Sequence, residues 1–233
     1  MAGLIGLAVS LIGLDIRIMP RHFTASQQQR ITAWEVGKRW RTWPAGTIFP
    51  AAITYRLSAA NLASDTSLTL AARRVGIAPQ APCASVTDGA AARLLAGRGC
   101  AAVLRASYAD ATGAFVTTVG VAVLPSARAA AAVAAALAAP GNFAPGVHAA
   151  AFPHTLTAWF GDQDRQLSLS MSAGPYLVMY AAGYADGRPR AGAQGDRYGQ
   201  GEMLSAAEGI AGFVAARMSA QPPAPACPGA PGC

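Results

Sequence analysis

Apolar and β-forming residues are concentrated between residues 100 and 124, in two runs that flank a turn over 110–113. In both runs the odd and the even positions are largely apolar, which is typical of strands that are covered on each face. The turn begins with Asp110 and ends with Gly113, two residue types that favour tight turns. The pattern therefore predicts a β-hairpin at the centre of a sheet that is packed on both sides.

Apolar residues at helical spacing, with a capping residue before them and Gly or Pro after them, predict five helices. Thr24 or Ser26 can cap the first helix, Thr87 or Asp88 can cap the third, and Ser126 begins the fourth. The predicted helices span residues 24–43, 70–75, 88–96, 127–139 and 203–218.

Alternation and β-branched or aromatic content predict further strands over residues 47–57, 154–160 and 175–182. Residues 166–173 fit either a strand or a helix that ends at Gly174. Two stretches, 143–153 and 183–201, have the composition of loops. The combination predicts an α+β fold over residues 46–220, in which an antiparallel sheet is packed against helices.

The N-terminal residues 2–14 form an uninterrupted run of apolar and small residues that ends at Asp15. A helix of this length spans about 20 Å, which is shorter than the roughly 30 Å hydrocarbon core of a bilayer. A signal peptide would need a basic start, which is missing, and a buried helix in water would be weakened by its glycines. We therefore expect residues 1–19 to be a membrane anchor whose start lies upstream, with a signal segment as the alternative.

The next segment, residues 20–45, combines three tryptophans (Trp34, Trp40 and Trp43) with the basic group at 38–41. A basic helix with tryptophans beside an anchor can lie on the headgroup layer of a membrane. The alternative, which we favour, is a connecting helix that packs its Trp face on the following domain.

Charge and composition suggest a nucleic-acid partner at first, because the net charge is +7 and the pI is about 9.7. The charges are scattered, however, and 17 of the 18 cationic residues are arginines, as the codon bias of a GC-rich genome produces. We therefore expect no nucleic-acid partner.

Four cysteines allow three pairings: Cys83, Cys100, Cys227 and Cys233. An even number outside any C-x-x-C arrangement, behind an apolar N-terminus, favours disulfides in an oxidising compartment. Cys83 and Cys100 bracket a predicted helix and are expected to pair. Cys227 and Cys233 either close a loop in the Pro/Gly tail, residues 221–233, or remain as free or intermolecular thiols. Neither pair has the spacing of a zinc site.

Motifs of enzymes are missing: the chain has no H-E-x-x-H, G-x-S-x-G or phosphate-loop sequence. A triad of His154, Ser170 and Asp164 can be composed, but any chain of this length allows one. We therefore predict no catalytic residue, no metal site and no cofactor. The loop over 183–201 is rich in Gly, Arg and Tyr and is either a solvated connection or a ligand contact. Its candidate ligand-binding residues are Tyr184, Arg188, Arg190, Arg197 and Tyr198.

Three segments, residues 34–50, 181–188 and 227–233, together resemble uncharacterised membrane-anchored secreted proteins of GC-rich Gram-positive (actinobacterial) type. The resemblance implies a single-pass N-terminal anchor with the main domain outside the cell. The resemblance supplies no known activity. The leading hypothesis is a non-enzymatic binding or interaction domain with a cell-envelope partner. The alternative function is an extracytoplasmic hydrolase with a triad assembled from distant residues.

Overall fold

A curled, six-stranded antiparallel sheet forms the centre of the molecule, in the strand order β1-β2-β3-β4-β6-β5. Its strands are β1 (Ala52–Leu57), β2 (Leu68–Ala81), β3 (Ala102–Ala109), β4 (Phe115–Val123), β5 (Arg165–Ala173) and β6 (Tyr176–Tyr184). The computed structural model describes residues 23–57, 68–138, 143–190 and 197–222. The predicted anchor and the second cysteine pair, Cys227 and Cys233, lie outside these residues. No helix within the described ranges has the length and apolar content to cross a bilayer.

Helices cover both faces of the sheet, so the chain has the predicted α+β architecture. One face packs against α1 (Ala25–Thr42), α2 (Ala45–Ile48) and α5 (Arg197–Ser219), and the other against α3 (Gly89–Ala96) and α4 (Ala127–Leu137). In β6, Val178 and Tyr180 face the α5 side, whereas Met179 and Ala181 face the α4 side, and all four are buried. The predicted central hairpin is β3–β4, and the apolar residues on both of its faces are explained by this double cover.

The predicted helix starts are confirmed where capping residues define them. Thr24 and Gln27 form a reciprocal capping box at the start of α1, with side-chain-to-backbone distances of 2.8 and 3.3 Å. The Ser126 hydroxyl accepts from the backbone N–H of Ala129 at the start of α4. Asp88 occupies the N-cap position of α3, but its side chain makes no capping hydrogen bond, because its carboxylate accepts from Arg165 and Gly146 instead.

Arg39 of α1 joins the two helices α1 and α5. Its buried guanidinium donates hydrogen bonds to the carbonyl oxygens of Arg217 at 3.0 Å and Met218 at 2.7 Å, in the last turn of α5. A cation at this position satisfies carbonyls that lack a partner within the helix and complements the helix dipole. On the same helix, Trp40 and Trp43 pack against the core, while Trp34 is 40% exposed.

Two predicted elements are wrong. Residues 70–75, expected to be a helix, lie within the 14-residue strand β2. Pairing with β1 on one side and β3 on the other outweighs the helix propensity of the alanines and arginines there, and Ala72, opposite Ile53 of β1, is fully buried in the core. Residues 154–160, expected to be a strand, form consecutive turns, in which His154 has a positive φ of 61°.

Other boundaries differ from the prediction in ways that matter for the site. Residues 45–48 form the short helix α2, so the first strand starts at Ala52. Residues 166–173, which fit two interpretations, belong to strand β5. The predicted loop over 183–201 is shorter, because β6 runs to Tyr184 and α5 begins at Arg197.

Candidate functional site

The predicted disulfide between Cys83 and Cys100 is present, with a sulfur–sulfur distance of 2.02 Å. It links a short 3₁₀ helix (Cys83–Ser85) before α3 to the residues that lead into β3. The clip therefore fixes α3 against the sheet near the α3–α4 core, to which both cysteines contribute.

Tyr184, the first of the predicted ligand-binding residues, is the last residue of β6 and is only 4% exposed. Its ring lies 5.5 Å from the ring of Phe115, and the guanidinium of Arg188 stacks over it at 4.3 Å. Tyr184 therefore stabilises the position of the Arg188 side chain through a cation–π contact.

Arg188 forms an exposed ion pair with Asp186, across a turn at Gly187. Its Nε lies 2.9 Å and its Nη2 2.6 Å from Oδ2 of Asp186, and the two side chains are about half exposed. The hydrogen bond from Arg188 holds the pKa of the Asp186 carboxyl below its usual value. The result is a carboxylate and a guanidinium presented to solvent side by side.

The other predicted residues are placed elsewhere. The guanidinium of Arg190 stacks on the ring of Phe143, 3.9 Å from its centroid. The guanidinium of Arg165 lies 5.7 Å from the centroid of the same ring. Arg197 and Tyr198 are the first residues of α5. The structure thus brings Tyr184 and Arg188 together and directs Arg190 to a different aromatic ring.

Trp159 is 76% exposed, although the sequence pattern predicts a strand there and gives no sign of a functional residue. It lies on the turn segment over 152–160, together with Leu156, which is 50% exposed. Thr157 fixes this segment from inside, because its buried hydroxyl accepts from the backbone N–H of Phe152. Phe160 is buried at its end. The exposed residues Leu156 and Trp159 therefore lie on a segment that is held in place by buried residues.

Glycines bring the turn segment against the neighbouring turns. The backbone of Trp159 lies directly against Gly187, and a β-carbon at Gly113 would lie 3.5 Å from Cδ1 of Leu156. The two turns also line an open depression of about 540 Å³, through Gly113–Phe115, Tyr184–Asp186 and Arg188. We call Leu156, Trp159, Asp186, Arg188 and this depression the Trp159 surface.

A second, larger groove of about 1030 Å³ lies at the other end of the sheet. It is lined by α1, including Thr32, Val36 and Trp40, and by the β5–β6 turn at Gly174 and Pro175. Strand β6 runs from this end to Tyr184 and spans about 30 Å. The Trp159 surface and the start of α1 therefore lie at opposite ends of the sheet.

An ion-pair cluster lies on the α3 side of the sheet. Arg165 makes two hydrogen bonds to the carboxylate of Asp88, at 2.7 and 3.0 Å, and the backbone N–H of Gly146 donates to the same carboxylate at 2.7 Å. The imidazole of His148 lies between Asp88 and Asp162, 3.6 Å from each. Burial opposes ionisation of Asp88, but the hydrogen bonds from Arg165 and Gly146 and the nearby positive charges outweigh it, so its pKa is lowered.

This cluster fastens the crossing segment, residues 143–150, to the sheet. Arg165 donates to the carbonyl oxygen of Val147 at 3.0 Å, and the Ser107 hydroxyl donates to that of Ala150 at 2.7 Å. No serine or threonine hydroxyl of the described residues hydrogen-bonds to the His148 side chain. His154, Ser170 and Asp164 are likewise not joined to one another by any hydrogen bond or ion pair in this part of the chain.

Within residues 23–57, 68–138, 143–190 and 197–222, no group of three His, Cys, Asp or Glu side chains is arranged to hold a metal ion. Comparisons of the chain with protein-family models, with curated proteins and with solved structures find no match.

Proposed function

We propose that this chain is a membrane-anchored, extracytoplasmic binding domain without catalytic activity, and that it contacts a cell-envelope partner through the Trp159 surface. The observation that carries the proposal is the exposure of Trp159, which is 76% accessible on a segment held by internal hydrogen bonds. Burying a large apolar side chain is favourable by about 1.5–3 kcal/mol, so a partner that covers the exposed indole would gain a free energy of this order.

The residue types around Trp159 support binding. Trp and Arg are enriched among the residues that dominate binding energy at interfaces, and Arg188 lies one residue beyond the glycine that contacts Trp159. Because the segment and the Asp186–Arg188 pair are held by internal contacts, little conformational entropy is lost when a partner binds.

The disulfide supports the compartment, since such bonds persist in oxidising surroundings. If residues 1–19 anchor the chain, α1 begins next to the bilayer and the Trp159 surface faces away from it. This orientation suits a partner in the envelope rather than the membrane that holds the anchor.

The alternative function, a hydrolase with a triad of distant residues, has less support. Such a triad needs a hydroxyl or thiol within hydrogen-bond reach of its base. Neither His148 nor His154 has such a neighbour among the described residues, and the carboxylates beside His148 are engaged with Arg165 and the crossing segment.

The test is sedimentation of the full-length chain, in detergent micelles, with the washed envelope fraction of the source cells. We expect the Trp159→Ala variant to bind at least about tenfold more weakly, a change of about 1.4 kcal/mol. Trp34→Ala is the matched control, because Trp34 is also exposed but lies on α1. Equal sedimentation of both variants and the unmodified chain would remove the Trp159 surface from the proposal.

A further inference from the structure

Resting on the proposed function, we infer that the ligand of the Trp159 surface is a carbohydrate, bound with one pyranose ring stacked on the indole of Trp159. The face of an indole carries negative electrostatic potential. The axial C–H bonds of a pyranose present a flat, slightly positive face that complements it. An indole that is 76% exposed leaves room for such a ring.

Hydroxyl recognition is supplied beside the indole by Asp186 and Arg188. Gly187 lies between them in sequence and against the Trp159 backbone in space, so the pair flanks the base of the indole. A carboxylate accepts hydrogen bonds and a guanidinium donates them. Vicinal sugar hydroxyls can do both, and the two side chains are about half exposed.

The local charge favours a neutral ligand. The charges of Asp186 and Arg188 compensate each other at 2.6 Å, so this pair adds no net charge that would attract a phosphate-rich polymer or an anionic headgroup. The guanidinium of Arg190 stacks on Phe143 and does not line the depression.

The shape of the surface favours one segment of an extended polymer. The depression is open and is lined by residues 113–115, 184–186 and Arg188, while Leu156 and Trp159 contact the adjoining glycines Gly113 and Gly187. A site of this form contacts one side of a chain that continues in both directions, as an envelope polysaccharide does. An enclosed pocket would be expected for a free small molecule.

The experiment titrates the full-length chain, in detergent micelles and labelled with ¹⁵N at the tryptophan indoles, with two neutral probes: a β-1,4-linked N-acetylglucosamine tetramer and an α-1,6-linked mannose tetramer. We expect at least one probe to shift the Trp159 indole resonance with saturation. Trp159→Ala should abolish binding, Trp159→Phe should weaken it about threefold to tenfold, and Trp34→Ala should leave it unchanged.

The other outcomes separate this inference from the proposed function. If neither probe shifts the Trp159 resonance while envelope sedimentation still depends on Trp159, the carbohydrate inference is wrong and the binding function stands. The carbohydrate inference is also wrong if Trp159 instead mediates self-association, seen by ultracentrifugation, or binding to phosphatidylglycerol vesicles. If the Trp159→Ala variant binds the sugars and sediments with the envelope as the unmodified chain does, both the carbohydrate inference and the proposed binding function of the Trp159 surface are wrong.

Discussion

A β-carbon placed on Gly187 would lie 2.6 Å from the carbonyl oxygen of Trp159, so the backbones of these two residues touch. Gly187 also has a φ of +70°, a conformation that residues with a side chain rarely adopt. The position of the exposed indole therefore depends on a glycine 28 residues further along the chain.

Replacing Gly187 by alanine should displace Trp159, because both the steric contact and the backbone conformation oppose a side chain. We expect a cost of about 1–3 kcal/mol in the free energy of unfolding and at least about tenfold weaker binding at the Trp159 surface. Gly37→Ala is the control, since nothing lies within 4 Å of its added carbon in α1. This control should be neutral or stabilising by up to about 1 kcal/mol in urea titrations; a neutral Gly187→Ala would contradict the role of the contact.

Trp159→Ala should change stability by less than about 0.5 kcal/mol, because the side chain is 76% exposed. Its neighbour Phe160 is 1% exposed, so Phe160→Ala should cost about 3–5 kcal/mol. Urea unfolding monitored by far-UV circular dichroism distinguishes the two. A large loss of stability in Trp159→Ala would mean that the indole is a structural residue, and its effect on binding would then have to be attributed to unfolding.

Arg39→Ala should destabilise the protein by about 2–3 kcal/mol, because the carbonyl oxygens of Arg217 and Met218 lose a buried charged donor. Arg39→Lys keeps the charge but loses the planar fork, so it should recover only part of this loss. Arg30→Ala, at an exposed position of the same helix, should be within about 0.5 kcal/mol of the unmodified protein. Equal midpoints for Arg39→Ala and Arg30→Ala would show that α1 is not held on α5 in this way.

Asp88 should make stability sensitive to acid. Its pKa is lower in the folded chain than the ordinary value of 3.8, so the unfolded chain binds the proton more tightly. The stabilisation is therefore complete above the ordinary pKa and is lost as the pH falls through the lowered, folded-state value. At neutral pH, Asp88→Asn should cost about 2 kcal/mol, since Arg165, whose side chain is 7% exposed, then loses the nearer of its two carboxylate partners and keeps only Asp162, at 3.5 Å.

A series of urea titrations between pH 7 and pH 2 checks this dependence. The difference between the unmodified protein and Asp88→Asn should shrink as the pH falls below the ordinary value. Asp186→Asn is a useful comparison, because that carboxylate also has a lowered pKa but is exposed, and its removal should change stability much less. A constant difference across the series would show that the Asp88 carboxylate does not titrate as its contacts imply.

Local patterns were enough to predict the parts of the fold that local interactions create. The capping box at Thr24 and the turn at Asp110, whose carboxylate accepts from the backbone N–H groups of Thr112 and Phe115, involve residues at most five apart. Strand β2 could not be predicted in this way, because its stability comes from pairing with residues such as Ala109, 36 positions away from Arg73.

The same reason limited prediction of the candidate site. Glycine, arginine and tyrosine content pointed to the region that holds Arg188, but the contact that places Trp159 beside it is with Gly187, 28 residues further along the chain. In the cluster around His148, the residues Asp88 and Asp162 are far apart in sequence and are brought together only by the folding of the sheet. A usable signal was present in the run 153–157, where a proline and two threonines favour turns over a strand.

The disulfide between Cys83 and Cys100 should contribute about 3 kcal/mol to stability, because it closes a loop with a sequence separation of 17 and so restricts the unfolded chain. The measurement is best made in a Cys227→Ser/Cys233→Ser background, so that the reductant acts on one pair alone. There, reduction should lower the unfolding free energy by about 3 kcal/mol, and further replacement of Cys83 and Cys100 by alanine should produce the same loss and abolish the response to reductant. Reaction of both thiols with a membrane-impermeant maleimide only after reduction of intact cells would place this bond outside the cytoplasm. Free thiols that are labelled only after lysis would contradict the extracytoplasmic assignment, whatever the stability of the purified protein.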